Sequence, residues 1–385
     1  MLIIENGLVL LGKELKPVRT NLVIEDDKII EITNNKFNHG KKIDATGCIV
    51  LPSFTNSHIH IADSFAKDIA DGKSLDEIVK PPNGIKHRLL EKTPKEKIVE
   101  SVKRSVKEML MTGTTRFIDF REGGIEGIKL VRDAIKDLPI ECKFLGRDPI
   151  FYNPNAKRNE VRKKTKNLLS YCDGVGLSGF GEIDDNIAKI VVSQCKKNKK
   201  IAAIHVAEDV KTQKISLKNT GKTEVQRALE TGFDMLIHVT NPTSADIELL
   251  KNSDVSVVLC PRSNGILGTG IPPISNLLHL NINLLLGSDN VMFNAPNMIR
   301  EMEYTLKVSR GFSRKYLDPK IVIKMATTNS LPIFGDVGCI EEGYRADILI
   351  VKKLSSNPWL SIINRLEPHD IHYVIKDGKI VNLAN

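Results

Sequence analysis

Cysteine is sparse in this 385-residue chain, and what there is stands far apart. Cys48, Cys142, Cys172, Cys195, Cys260 and Cys339 include no CxxC pair and no zinc-ribbon spacing. That excludes a cysteine metal cage and a dense disulfide framework, and makes a reduced, cytoplasmic protein the simplest expectation. No apolar run approaches the roughly 18 residues that a membrane span needs. The opening stretch, MLIIENGLVLLGKELKP, carries Glu5 in its apolar run and has no basic leader, so no signal peptide is expected. Aromatic residues are only 5% of the chain, with one Trp. The net charge is +9, but the lysines are scattered, and nucleic-acid binding would need them gathered in one patch with aromatics among them. A lysine-rich solvated surface is the expected use of that charge, with neither nucleic acid nor membrane as a partner.

What is present is a rhythm. Residues 1–50 alternate apolar with polar or turn residues in LIIEN, GLVLL, NLVIEDDKIIEI and KKIDATGCIVL, as half-buried strands do. ADILIVKK (346–353) and IHYVIKDGKIVN (371–382) have the same character, with Asp377-Gly378 as a hairpin turn. Residues 1–50 and 340–385 are therefore expected to form one small β-sandwich-like domain. Residues 51–339 change to strand and helix in alternation. Eight short apolar segments are candidate strands: 48–60, 114–120, 141–147, 174–181, 199–207, 235–240, 255–260 and 282–289. Amphipathic stretches separate most of them. In one, Ile98, Val102, Val106, Met109 and Leu110 share a stripe that Gly113 is placed to end. Eight such units predict an α/β chain folded as a (β/α)8 TIM barrel. A doubly wound open sheet would carry GxGxxG after its first strand, and none is there.

Barrel enzymes keep their chemistry at the C-terminal ends of the strands. The first candidate strand ends in His58-Ile59-His60, and alternation puts both imidazoles on one face. The fifth ends in His205, with Glu208 three residues on; the sixth ends near His238; the eighth ends in Asp289. Each alone is unremarkable: an HxH is commonly two unrelated surface residues, and an Asp after a strand is commonly a helix cap. Together, four of nine histidines fall at predicted strand ends. Three imidazoles and a carboxylate suit Zn²⁺ or Fe²⁺.

With PSFTNSHIH (52–60), IHVAED (204–209), IHVT (237–240), CPRSN (260–264) and GSDN (287–290), the chain resembles the amidohydrolase superfamily, and within it the aminohydrolase branch of deaminases and chlorohydrolases. The resemblance covers nearly the whole chain. It implies that His58, His60, His205 and Asp289 bind one divalent metal, Zn²⁺ ahead of Fe²⁺. It implies that Glu208, His238 and Asp289 serve the chemistry, with His238 as a fourth imidazole ligand as the alternative. Binuclear members use a carboxylated lysine at the end of the fourth strand; GVGLSGFGEID has no lysine there, so a mononuclear site is expected. The implied reaction is hydrolytic deamination of an amino-substituted heterocycle, nucleobase- or nucleoside-like. Asp289 accepts a proton from the attacking water, Glu208 protonates the ring nitrogen and His238 hydrogen-bonds the attacking oxygen. Hydrolysis of a C–Cl bond or a cyclic amide at the same site is the rival.

The segment after HIH carries Pro81-Pro82, Gly84, Lys86, His87 and Arg88, and is expected over the barrel mouth. Arg121, Arg147 and Arg262 follow the second, third and seventh strands. These cations are candidates to grip an anionic group on the substrate. Equally, they could pair with Asp63, Glu122, Asp148 or Glu182. Asn290 is a further substrate-binding candidate, and a homodimer is the assembly that base rates favour.

Overall fold

Eight short parallel strands form the centre of the computed structural model, which describes residues 1–69, 71–80 and 83–382. In chain order they are Phe54–His60, Thr114–Arg121, Glu141–Gly146, Gly174–Leu177, Ile201–Val206, Met235–His238, Ser256–Leu259 and Asn283–Leu286, each paired with the next. A two-residue segment, Asp289–Asn290, continues the eighth strand past Gly287 and Ser288 and pairs with Ile59 and His60 of the first. The sheet thus curls until its last strand meets its first. The approach is close. A Cβ on Gly287 would lie 2.6 Å from His58 Cβ and 2.8 Å from the His58 backbone N and O, so only glycine fits.

The strands are buried on both faces, and their residues alternate between two apolar environments. Ile118, Phe120, Leu145, Ala203, Met235, Ile237, Val258 and Leu285 form an inner cluster. Their neighbours Phe117, Phe144, Ala202, Ile204, Leu236, Val257, Leu259, Leu284 and Leu286 face outward and pack with the surrounding helices. Ile59 lies in the outer set, so His58 and His60 turn inward, as does His205 two residues after Ala203. The helix Lys95–Met111 buries the expected stripe, and Gly113 follows it at φ 83°.

Both chain ends meet in a second, eight-stranded sheet. Its order is Lys379–Ile380, Ile371–Lys376, Ile348–Lys352, Cys48–Pro52, Leu2–Leu11, Lys16–Glu25 and Lys28–Thr33, with Lys41–Asp44 also paired to Leu2–Leu11. Hydrogen bonding makes this one sheet. Leu2, Ile4, Val9, Leu22, Ile24, Val50, Ile348, Ile350 and Ile375 pack together in a cluster of their own. Arg116 ties the barrel to it: buried in the second barrel strand, it pairs with Asp347 Oδ2 at 2.7 Å and donates to the Ser53 carbonyl at 2.8 Å.

Three local readings need amendment. The single strand expected over 48–60 is two, because Cys48–Pro52 pairs with Leu2–Leu11 and Ile348–Lys352 while Phe54–His60 enters the barrel. LIIEN and GLVLL are one strand, interrupted by a register shift between Ile4 and Gly7 where Asn6 takes φ 65°. A helix, Pro358–Arg365, lies between the two C-terminal strands and was not expected. The Asp377-Gly378 turn is as expected: φ values of 48° and 72° join Lys376 to Lys379 in an antiparallel pair. No helix among the described residues is long and apolar enough to cross a membrane.

Candidate active site

Donors from the first, fifth, sixth and eighth strands converge at one end of the barrel. Nitrogens of His58, His60 and His205 lie within 4.8 Å of one another, and so do donor atoms of His58, His238 and Asp289. His58 belongs to both groups. His58 Nε2 is 3.2 Å from Asp289 Oδ1, and His60 Nε2 is 3.7 Å from the same oxygen. The edge of a tetrahedron built on Zn–N and Zn–O bonds of about 2.0–2.2 Å is roughly 3.3–3.6 Å. The donor spacing therefore fits a divalent ion.

The protonation states fit as well. His205 Nδ1 donates to the Leu177 carbonyl at 2.7 Å, leaving Nε2 as the free donor. Burial, followed by the surrounding cations and imidazoles, drives His205 well below its ordinary value. Burial also pushes His60 down to about 3 and His238 to about 4. Asp289 stays ionised despite its burial, because His58, His238 and His60 surround it. Its other oxygen accepts from Ser263 Oγ at 2.5 Å. Neutral imidazoles around an ionised carboxylate are the ligating forms.

The backbone is distorted at these strand ends. Ala207, His238, Val239 and Asp289 all adopt positive φ, between 47° and 75°. For the β-branched Val239 this is a costly conformation. By strand parity His238, next to the inward-facing Ile237, would face outward; the left-handed turn at 238–239 brings it inward instead. Its Nδ1 is 3.2 Å from the Asn264 amide and its Nε2 3.5 Å from Glu208 Oε2. Glu208 is raised well above the ordinary carboxyl range, first by burial and then by Asp289, Asp209, Glu182 and Glu224.

Around these groups is a small cavity of about 60 Å³, lined also by Leu75, Val79, Lys86, Arg147, Ser178, Glu182 and Asn290. Of the candidate substrate contacts, Lys86, Arg147 and Asn290 reach it. Arg147 donates to the Gly176 carbonyl at 2.8 Å and Ser178 Oγ at 3.0 Å, and its Nη2 has no hydrogen-bond partner among the described residues. Asn290 Nδ2 donates to Asp63 Oδ2 at 2.5 Å. The others lie elsewhere. Arg121 is held by Glu122 and by Asp119, 3.6 Å away, and with His87 it lines a neighbouring cavity of about 450 Å³. His87 Nε2 bonds the Val79 carbonyl at 2.9 Å. Arg88 is exposed, and Arg262 turns to Glu301 at 3.4 Å and the Ala295 carbonyl at 3.1 Å. Pairing with local carboxylates explains Arg121 and Arg262. Pro81 and Pro82 lie outside the described residues. Ser263 and Asn264, which their place at a strand end marks in the sequence as residues to orient substrate or satisfy loop backbone, contact Asp289 and His238. Glu122 was expected only as a partner of the arginines, and it also lies against His60.

Residues 49–381 match the model of the amidohydrolase family. The chain belongs to that family. It is a hydrolase of C–N bonds, and its relatives are of the deaminase type. A protein of Methanothermobacter thermautotrophicus, named as an aminohydrolase, is 52% identical over 381 residues, covering 99% of both chains. The 5-methylthioadenosine/S-adenosylhomocysteine deaminase of Thermococcus sibiricus is 27% identical, over 99% of this chain and 94% of its own. In shape the chain is similar to a zinc-bound adenosine deaminase from Xanthomonas campestris, with a TM-score of 0.85 at 20% identity, covering 98% of this chain and 92% of that one.

Proposed function

We propose that this amidohydrolase is a mononuclear metal-dependent deaminase that removes the amino group of a heterocyclic, nucleobase- or nucleoside-like substrate. In this reading His58, His60, His205 and Asp289 hold one divalent cation, Zn²⁺ ahead of Fe²⁺. Such a cation supplies Lewis acidity that brings the pKa of a water from 15.7 to about 7. The remaining steps fall to side chains. Asp289, ionised and bridging His58 and Ser263, takes a proton from the water. Glu208, kept in its acid form by burial, delivers a proton to the ring nitrogen beside the amino-bearing carbon. The water oxygen bonds to that carbon while His238, 3.5 Å from Glu208, steadies its developing charge; Asp289 then passes its proton to the amino group, which leaves as ammonia, and the new hydroxyl returns a proton to Glu208.

The observation that carries the proposal is the meeting of a raised carboxyl, Glu208, with the histidine–aspartate donor set in one pocket. The single-ion reading is supported by the fourth strand, which ends in Leu177 and is followed by Ser178 and Gly179, with no lysine. An anionic substituent on the substrate would meet Arg147, with Lys86 nearby, and neither Arg121 nor Arg262. The test is an ammonia-release assay over a panel of aminopurines, aminopyrimidines and their nucleosides, with chloro-substituted and cyclic-amide analogues alongside. Activity is expected on an amino compound, lost on chelation and restored by Zn²⁺. Turnover of only the chloro or cyclic-amide compounds, or turnover indifferent to chelation, would overturn the reading.

A further inference from the structure

Glu122 sits just past the second barrel strand, nearly buried, and four nitrogen groups from four segments surround its carboxylate. His60 Nδ1 is 3.0 Å from Oε1, Lys86 Nζ is 2.7 Å from it and Arg147 Nη1 is 3.8 Å from it. Arg121 Nη2 pairs with Oε2. His60 Nδ1 also lies 3.0 Å from the Phe120 carbonyl. The hydrogen bond runs to that carbonyl, so Nδ1 carries the hydrogen, and the Glu122 carboxylate stands beside it as a charge without accepting the bond. The lone pair is then on Nε2, the atom that faces Asp289. A carboxylate behind a ligating histidine is a recurrent way to fix ring orientation and raise ligand basicity.

Lys86 extends this arrangement to the roof of the pocket. It belongs to the helix Ile85–Lys92, is 3% exposed, and lines the pocket with Leu75 and Val79 of the neighbouring helix Leu75–Val79. Its Nζ reaches Glu122 and, at 3.9 Å, Asp63. A cavity of about 60 Å³ is far below the roughly 300–1,000 Å³ of pockets that hold drug-sized ligands. A substrate that displaces the helix Ile85–Lys92 on entry carries Lys86 with it.

Building on the metal-dependent reading above, we infer that Glu122 is a positioning residue that fixes His60 for metal binding, and that Lys86 makes this positioning depend on the closed roof. Metal affinity and roof closure are then linked, and the linkage is reciprocal.

The experiment uses the full chain as wild type, Glu122→Gln, Lys86→Met and Lys86→Arg. Zn²⁺ affinity is read by competition with a chelator of known strength, and fold by far-UV circular dichroism. Roof mobility is read from tryptic cleavage after the exposed Lys73 and Arg88 with and without Zn²⁺. Glu122→Gln is expected to bind Zn²⁺ about 10–100-fold more weakly. Lys86→Met is expected to lose about tenfold, while Lys86→Arg, which keeps the charge, stays within about threefold of wild type. Zn²⁺ should slow cleavage of the wild type and not of Lys86→Met. A folded Glu122→Gln and Lys86→Met that bind Zn²⁺ as tightly as wild type would overturn the inference. If Glu122→Gln does not fold, Lys86→Met decides alone, since Glu122 keeps Arg121 and His60 in that variant. A wild type that binds no divalent ion defeats the functional reading and this inference together; variants that match a metal-binding wild type defeat only this one.

Discussion

Replacing Glu208 by Gln removes one dissociable proton from the pocket and little else. The side chain is 16% exposed, lines the cavity and stands 3.5 Å from His238 Nε2, so the amide fills the same space. A positioned general acid contributes about 10²–10⁴-fold. At 1.36 kcal/mol per factor of ten, that is about 3–5 kcal/mol of activation free energy. The proposed metal donors are untouched, so Zn²⁺ content should equal wild type and KM should stay within about threefold, a split that marks a group acting only in the transition state. The sign of the pH effect follows from the raised carboxyl. Burial and the neighbouring carboxylates favour its acid form, so the wild type works below that raised pKa and loses rate as pH climbs through it. The Gln variant should lack this alkaline limb and run at a low, level rate. The assay is ammonia release under saturating substrate at several pH values, with metal analysis of the same samples. A fully metallated variant that keeps more than about a tenth of wild-type kcat would show that the proton reaches the ring by another route.

Two further outcomes follow from the geometry. Gly287→Ala places a Cβ 2.6–2.8 Å from His58 atoms, so either strand or ligand must shift. The expected cost is about 1–3 kcal/mol of stability with reduced Zn²⁺ content, read by urea unfolding and elemental analysis, and an unaffected variant would refute the steric argument. Burial raises the Glu182 carboxyl from 4.5 to about 7. The folded state therefore binds more protons than the unfolded one between those values, and stability falls as pH rises from about 4.5 to about 7. Glu182→Gln escapes this: it should match wild type at pH 4 and exceed it at pH 8 by at most about 3 kcal/mol, at 1.36 kcal/mol per unit. Equal stabilities at both pH values would count against it.

The barrel was legible because its strands are short apolar runs set between amphipathic helices, and because parity along a strand is enough to aim His58, His60 and His205 at one point. His238 shows where parity stops helping. Its inward placement depends on left-handed backbone at 238 and 239, which an IHVT tetrapeptide does not announce. The arginines misled for a related reason. Nearness to a strand end in sequence says nothing about the carboxylate next door, and Glu122 and Glu301 each claim one of them. Glu122 itself was invisible as a partner of His60, since the two are joined only when the first and second strands lie side by side.

The interruption at Gly287 and Ser288 gives the barrel a seam. Asn283–Leu286 is stitched to the seventh strand and Asp289–Asn290 to the first, so the chain crosses over at Gly287 and Ser288, with Gly287 packed on His58 and Asp289 facing its ring. An ion gripped by His58 and Asp289 together would act as a rivet between segments 231 positions apart in the chain. Its loss would then loosen the ring where it closes, and metal release should register as a lower melting temperature before any helix on the far side is disturbed.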